Sequence, residues 1–157
     1  MQMSSLVGII SDTHGLLRPE ALDALRGSAL ILHAGDVGDA AVLDRLREIA
    51  PVFAVRGNTD REPWANQLPL RETVEVDGAL IYLLHDLHDL DLDPKFSEIS
   101  AVITGHTHRP HDYCKEDVLY LNPGSAGPKR FDLPITVARL NLVPRPWKPE
   151  FVHLVQK

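Results

Sequence analysis

Three short apolar runs, residues 7–10, 29–32 and 52–55, punctuate the first third of the chain. The stretches between them carry a helical period. Pro19-Glu20 opens a segment with Ala21, Leu22, Ala24 and Leu25 on one face, stopped by Gly27. Asp39 suits the cap of a helix over 40–50, in which Val42, Leu43, Leu46 and Ile49 line one side before Pro51 ends it. Runs that are apolar at every position need cover on both faces of the strand. Strand, helix, strand, helix, strand is the order of a parallel sheet with right-handed crossovers. In such sheets, sites form at the carboxyl ends of the strands.

The rest of the chain reads differently. Residues 72–76 and 79–84 form a hairpin across Asp77-Gly78, a dipeptide suited to a tight primed turn. Residues 89–100 are polar and are expected to hold a short helix. A buried strand at 101–104 follows, then strand-like runs at 118–121, 135–142 and 151–155, with Pro144, Pro146 and Pro149 confining the last connection to a loop. The expected architecture is α/β, a mixed arrangement of two packed sheets with helices outside, in one domain over residues 1–157.

Composition excludes several classes of function. Hydrophobic residues make up 44% and charged residues 24% of the 157, an ordinary globular balance. A formal charge of -6 gives no basic footprint for nucleic acid or anionic lipid, although bound divalent ions would reverse the field locally for a phosphorylated substrate. Cys114 is the single cysteine, so no internal disulfide forms. The opening apolar run is too short for a membrane span or a signal-peptide core, and a soluble, cytoplasmic protein is expected. Oligomeric state stays open, a homo-oligomer included.

The chemistry lies just beyond the strands. Asp12-Thr13-His14 follows the first run, Gly35-Asp36 the second and Gly57-Asn58 the third; His85 follows the hairpin, and Gly105-His106-Thr107-His108 follows the strand at 101–104. Taken singly, each has an ordinary reading as a turn dipeptide, a helix cap or a solvated surface histidine. Taken together, they gather carboxylate, imidazole and amide donors at the ends of successive strands. That is a ligand set for two divalent metals acting on a phosphate ester. His33 reads equally as support for such a site or as a satisfied strand-end histidine, and Arg56 as a phosphate contact or the partner of a structural acid.

These blocks, with Asn122-Pro123-Gly124-Ser125, resemble the signature of the calcineurin-like metallophosphoesterases, in particular their small single-domain bacterial and archaeal phosphodiesterase branch. The resemblance spans Asp12 to about Ser125. It implies a four-layer α/β/β/α sandwich of two mixed sheets flanked by helices. It also implies two metal ions, one held by Asp12, His14 and His108, the other by Asn58, His106 and His85, with Asp36 bridging. Asp36 and Asn58 then serve at the reacting centre, a metal-activated hydroxide is the nucleophile, and Arg56 and His88 are candidates for substrate contact. Manganese is the first choice of metal, with iron, nickel, cobalt or zinc as alternatives. The implied activity is hydrolysis of a small phosphodiester; the alternatives are a phosphomonoesterase or nuclease, or a non-catalytic scaffold on the same fold. Two positions depart from the pattern. Thr59 stands where many members carry a histidine able to protonate the leaving group, and His85-Asp86-Leu87-His88 lacks the usual glycine after the first histidine, which makes His88 a rival to His85.

Overall fold

The computed structural model describes residues 5–154. In chain order the elements are β1 (Leu6–Ile10), α1 (Pro19–Leu25), β2 (Leu30–His33), α2 (Ala40–Arg47), β3 (Val52–Ala54), β4 (Arg71–Val76), β5 (Ala79–Leu84), β6 (Ile99–Ile103), β7 (His111–Lys115), β8 (Val118–Asn122), β9 (Thr136–Asn141) and β10 (Pro149–His153), with 3-10 turns over Pro63–Gln67 and Leu87–Asp89. They make two five-stranded sheets, ordered β10-β9-β1-β2-β3 and β4-β5-β6-β8-β7. In each sheet three adjacent strands run parallel, β1-β2-β3 in one and β5-β6-β8 in the other; β9 and β10 extend the first by antiparallel pairing beyond β1, leaving β3 at its other edge, and antiparallel β4 and β7 form the two edges of the second.

The continuous apolar runs are explained by burial on both faces. Val7 and Ile9 of β1 face the second sheet, where they meet Ile81 and Leu83 of β5 and Ala101 and Ile103 of β6 in the central core. Ile10 and Ile31 point the other way, into a core closed by Ala21 and Leu25 of α1 and Val42, Leu43 and Leu46 of α2. Asp39 caps α2 as expected, its Oδ1 accepting from the Ala41 N–H at 2.9 Å. The hairpin turns at Asp77 and Gly78, both with positive φ (51° and 81°), the backbone of a primed two-residue turn.

The outer face of the second sheet differs from expectation. No regular helix forms over 89–100. Leu90 and Leu92 pack on Tyr82, Leu84 and Val102 from a chain of turns, in which Asp93 accepts from the Lys95 N–H. Asp93-Pro94 favours a turn at the point where a helix would have to continue. Strand β7 was not anticipated, and Pro149 begins β10 rather than lying in the loop before it. Of the strand expected over 151–155, Val155 lies outside the described residues. His153 is exposed. No described helix is long and apolar enough to cross a membrane.

The interface between the sheets is the thickest part of the core, so truncation there should be costly. Ile81→Ala, at a fully buried position, should lower unfolding free energy by about 2–5 kcal/mol in denaturant titration. Phe96→Ala, at a side chain 87% exposed, should change it by less than about 0.5 kcal/mol.

Candidate metal centre

The two sheets face each other with the carboxyl ends of β1, β2, β3, β5 and β6 along one rim. Asp12 and His14, Asp36, Asn58, His85, and His106 and His108 leave those five strands in turn. Backbone geometry there is unusual. Asp12, His14, Asp36, His106 and His108 all have positive φ, between 47° and 73°. Left-handed backbone costs a non-glycine residue of order 1–3 kcal/mol and gathers at functional sites, and Asp and His are among the residues that tolerate it best. Two glycines allow the loops to close: a Cβ on Gly57 would collide with the Asp36 carboxylate, and one on Gly105 with the Ser11 hydroxyl and the Asp12 carboxylate.

Both carboxylates are divided in use. Asp12 Oδ2 accepts from the Ser11 hydroxyl (2.7 Å) and the His106 N–H (3.0 Å), while its Oδ1 lies 3.3 Å from His108 Nε2 and 3.9 Å from the Nε2 atoms of His14 and His85. Asp36 Oδ1 accepts from the Thr59 N–H at 2.9 Å, while Oδ2 lies 3.2 Å from His85 Nε2 and 3.8 Å from His14 Nε2. One oxygen of each is anchored by the protein and the other is turned toward the imidazoles.

His85 is oriented in the same way. Its Nδ1 donates to the Ala34 carbonyl at 2.7 Å, which leaves Nε2 facing Asn58 Oδ1 (3.0 Å) and Asp36 Oδ2. A neutral ring would aim a lone pair at several oxygens, so the cluster calls for a positive charge at its centre. A proton on His85 or a metal cation satisfies it. With a proton, His85 is pushed up to about 9: burial works against the charge, but the Asp36 hydrogen bond and the charges of Asp12 and Asp36 outweigh it. Burial likewise opposes ionisation of the two acids, and it is outweighed by the close approach of His108 and the His85 charge at Asp12, and by the His85 contact and charge at Asp36; both carboxyls are held below the usual range. His14 is pushed down by burial, toward the neutral form that binds metals.

A cation fits this donor set. Asp12 Oδ1 and His14 Nε2, 3.9 Å apart, are buried and have no hydrogen-bond partner, and His108 Nε2 lies 3.3 Å from the same Asp12 oxygen. Among the described residues, two triplets of donor atoms lie within ligand spacing, Asp12-His14-His108 and Asp12-Asp36-His85. Asn58 adjoins the second triplet through its contact with His85. His106 stands at the edge: its ring packs against that of His85, centroids 5.2 Å apart, with Nε2 3.6 Å from Asp86 Oδ2. Arg56 lines a cavity of about 150 Å³ with Asn58 and His85, and its Nη1 donates to Asn66 Oδ1. The His88 side chain is 95% exposed and held at Asp86 Oδ1.

Two supports beneath the site are less visible in sequence. His33 is fully buried: Nδ1 accepts from the Gly35 N–H, and Nε2 donates to the Thr13 hydroxyl, which itself donates to the Val37 carbonyl. Asp60 was not singled out by sequence reasoning, yet its buried carboxylate accepts from the N–H groups of Val37, Gly38 and Gly57 at 3.0–3.1 Å and so ties the loop after β2 to the loop after β3. Its only signal was an acid two residues past Asn58.

The family model for the calcineurin-like phosphoesterase superfamily domain matches residues 6–144. The chain belongs to that superfamily of metal-dependent phosphoric ester hydrolases. A probable metallophosphoesterase of Methanocaldococcus jannaschii is 40% identical over 134 residues, 76% of this chain and 67% of the relative. The phosphodiesterase YfcE of Escherichia coli K12 is 30% identical over 141 residues, 73% of this chain and 76% of its own length. In fold, vacuolar protein sorting 29 from Cryptosporidium parvum superposes with a TM-score of 0.77 over 99% of this chain and all of the other, at 20% identity.

Asp60→Asn keeps the shape but leaves a single accepting oxygen and sets an NH2 group against at least one of the three N–H groups; unfolding free energy should fall by about 2–4 kcal/mol in denaturant titration. His33 gives a pH signature. Burial holds it neutral, with its pKa lowered from 6.5 to about 4, so its contribution is complete above pH 6.5 and is lost as pH falls through that window toward 4. Between pH 7 and pH 5 the parent should lose about 2 kcal/mol that His33→Gln does not lose, read from denaturant midpoints at the two pH values.

Proposed function

We propose that this protein is a dinuclear metal-dependent phosphodiesterase acting on a small phosphate ester. The observation that carries the reading is the divided use of Asp12 and Asp36, which turns one oxygen of each toward the same group of imidazoles. One ion is assigned to Asp12, His14 and His108, the other to Asn58, His85 and His106, with Asp36 shared. Two divalent ions held there supply Lewis acidity toward the phosphoryl oxygens and an activated water at neutral pH. The chain's own residues do the rest. Ser11, Thr59 and the Ala34 carbonyl fix the orientation of the acids and of His85, and Arg56, in the lining of the adjoining cavity, is assigned to a phosphate oxygen. Thr59 offers no proton to a departing alkoxide at neutral pH, so esters of acidic alcohols are the favoured substrates. Manganese is the metal expected to support activity best, and a single cytoplasmic domain is the expected setting.

The likeness to vacuolar protein sorting 29 concerns the fold, which serves both catalysts and binding proteins. The complete donor set favours the hydrolase.

Chelation should abolish hydrolysis of bis(4-nitrophenyl) phosphate and added manganese restore it. Asp36→Asn should lower kcat by about a hundredfold or more, because it weakens both ions at once; parental activity in that variant would overturn the two-metal reading. His85→Ala should lose one bound ion per chain and His88→Ala should keep both. Metal analysis of the purified variants checks this, and the opposite pattern would transfer the ligand role to His88.

A further inference from the structure

An apolar hollow beside the metal centre is lined in part by residues outside those that resemble the family signature. It is a cavity of about 390 Å³ on the outer face of the second sheet, and its walls include Leu87, Thr104, Arg109, His111, Tyr113 and Tyr120. Volumes of about 300–1,000 Å³ are those of pockets that enclose drug-sized ligands. The rings come from paired strands. Tyr113 of β7 sits opposite Tyr120 of β8, stacked with centroids 4.9 Å apart and planes 1° from parallel, and the His111 ring lies 5.4 Å from Tyr113. Tyr113 is 39% exposed and Leu87 37%, so a cluster of aromatic and aliphatic surface faces solvent next to a polar reaction centre.

The hollow and the metal centre share walls. Asp86 borders both this cavity and the smaller one that contains Asn58 and His85, and its Oδ2 lies 3.6 Å from His106 Nε2. Gly105 and Thr107, which flank His106, line the hollow as well. A phosphate ester held at His85 and His106 would therefore lie against Asp86, a wall common to the metal centre and the aromatic hollow. Resting on the phosphodiesterase reading, we propose that this hollow is a substrate subsite that receives a planar aromatic group carried on one arm of the phosphate ester. The ring would pack against His111 and Tyr113. Aromatic side chains take a planar ring by stacking without reading its edge, so a simple aryl group and a nucleobase share the chemistry. Arg109 and Thr107 at the rim provide polar groups for substituents on that ring.

The test is calorimetric titration of the manganese-loaded protein with methylphosphonate and phenylphosphonate, which present the same anionic head and differ in the aromatic arm. Phenylphosphonate should bind about tenfold more tightly to the parent. The ratio should fall to about one in Tyr113→Ala and be retained in Tyr113→Phe; His111→Ala, at a solvated position, should reduce it too and serves if Tyr113→Ala folds poorly. A thymidine 5′-phosphonate distinguishes the sources: binding tighter than phenylphosphonate assigns a nucleobase, binding weaker but still tighter than methylphosphonate assigns a simple aryl group. Equal affinities in the parent, or a ratio that survives in both alanine variants, would overturn the subsite. Failure of the parent to hydrolyse bis(4-nitrophenyl) phosphate would instead overturn the phosphodiesterase reading, which the binding ratio does not depend on.

Discussion

Everything at the rim depends on two carboxylates that are each half spent. Asp12 and Asp36 give one oxygen to donors of the fold, a serine hydroxyl and two backbone N–H groups, and keep the other for the imidazoles. Hydrogen bonds to charged acceptors are stronger than neutral ones and more directional than a bare ion pair. They fix where the free oxygens lie before any cation arrives. The His106 N–H that binds Asp12 also joins β6 of one sheet to β1 of the other, so the contact that orients a ligand also closes the sandwich at this rim. Gly57 and Gly105 are the steric counterpart, since any side chain there would occupy the space of the acids.

Much of this could be read in the chain because parallel strands impose a rule. A strand buried on both faces is an unbroken apolar run, and its carboxyl end is marked where polar residues and glycine begin, within a few positions of which the candidate ligands lie. Asp12, Asp36, Asn58, His85 and His106 were found in that way, and the first ends of the fold, β1 to β3, were bounded to within a residue or two. His85 is distinguished from His88 in the structure by burial: it sits against Ala34 while His88 faces solvent.

What escaped had no apolar run to mark it. Strand β7, His111–Lys115, is exposed at every position because it edges the sheet, so its sequence lacks alternation. The layer over the second sheet is built from turns whose Leu90 and Leu92 are buried without a helical period. Asp60 resembles a turn residue, and its role depends on three N–H groups that converge from two loops. The aromatic surface formed by Tyr113 and Tyr120 is invisible in the sequence for the same reason: strand pairing, and not a motif, makes them neighbours.

The central claim is that two ions sit among these seven residues and share Asp36. Anomalous diffraction from crystals grown with manganese tests it most directly. The account predicts two peaks about 3.5–4 Å apart, one bounded by Asp12, His14 and His108 and the other by Asn58, His85 and His106, with the Asp36 carboxylate between them. A single peak, or a second one outside this group of side chains, would contradict it.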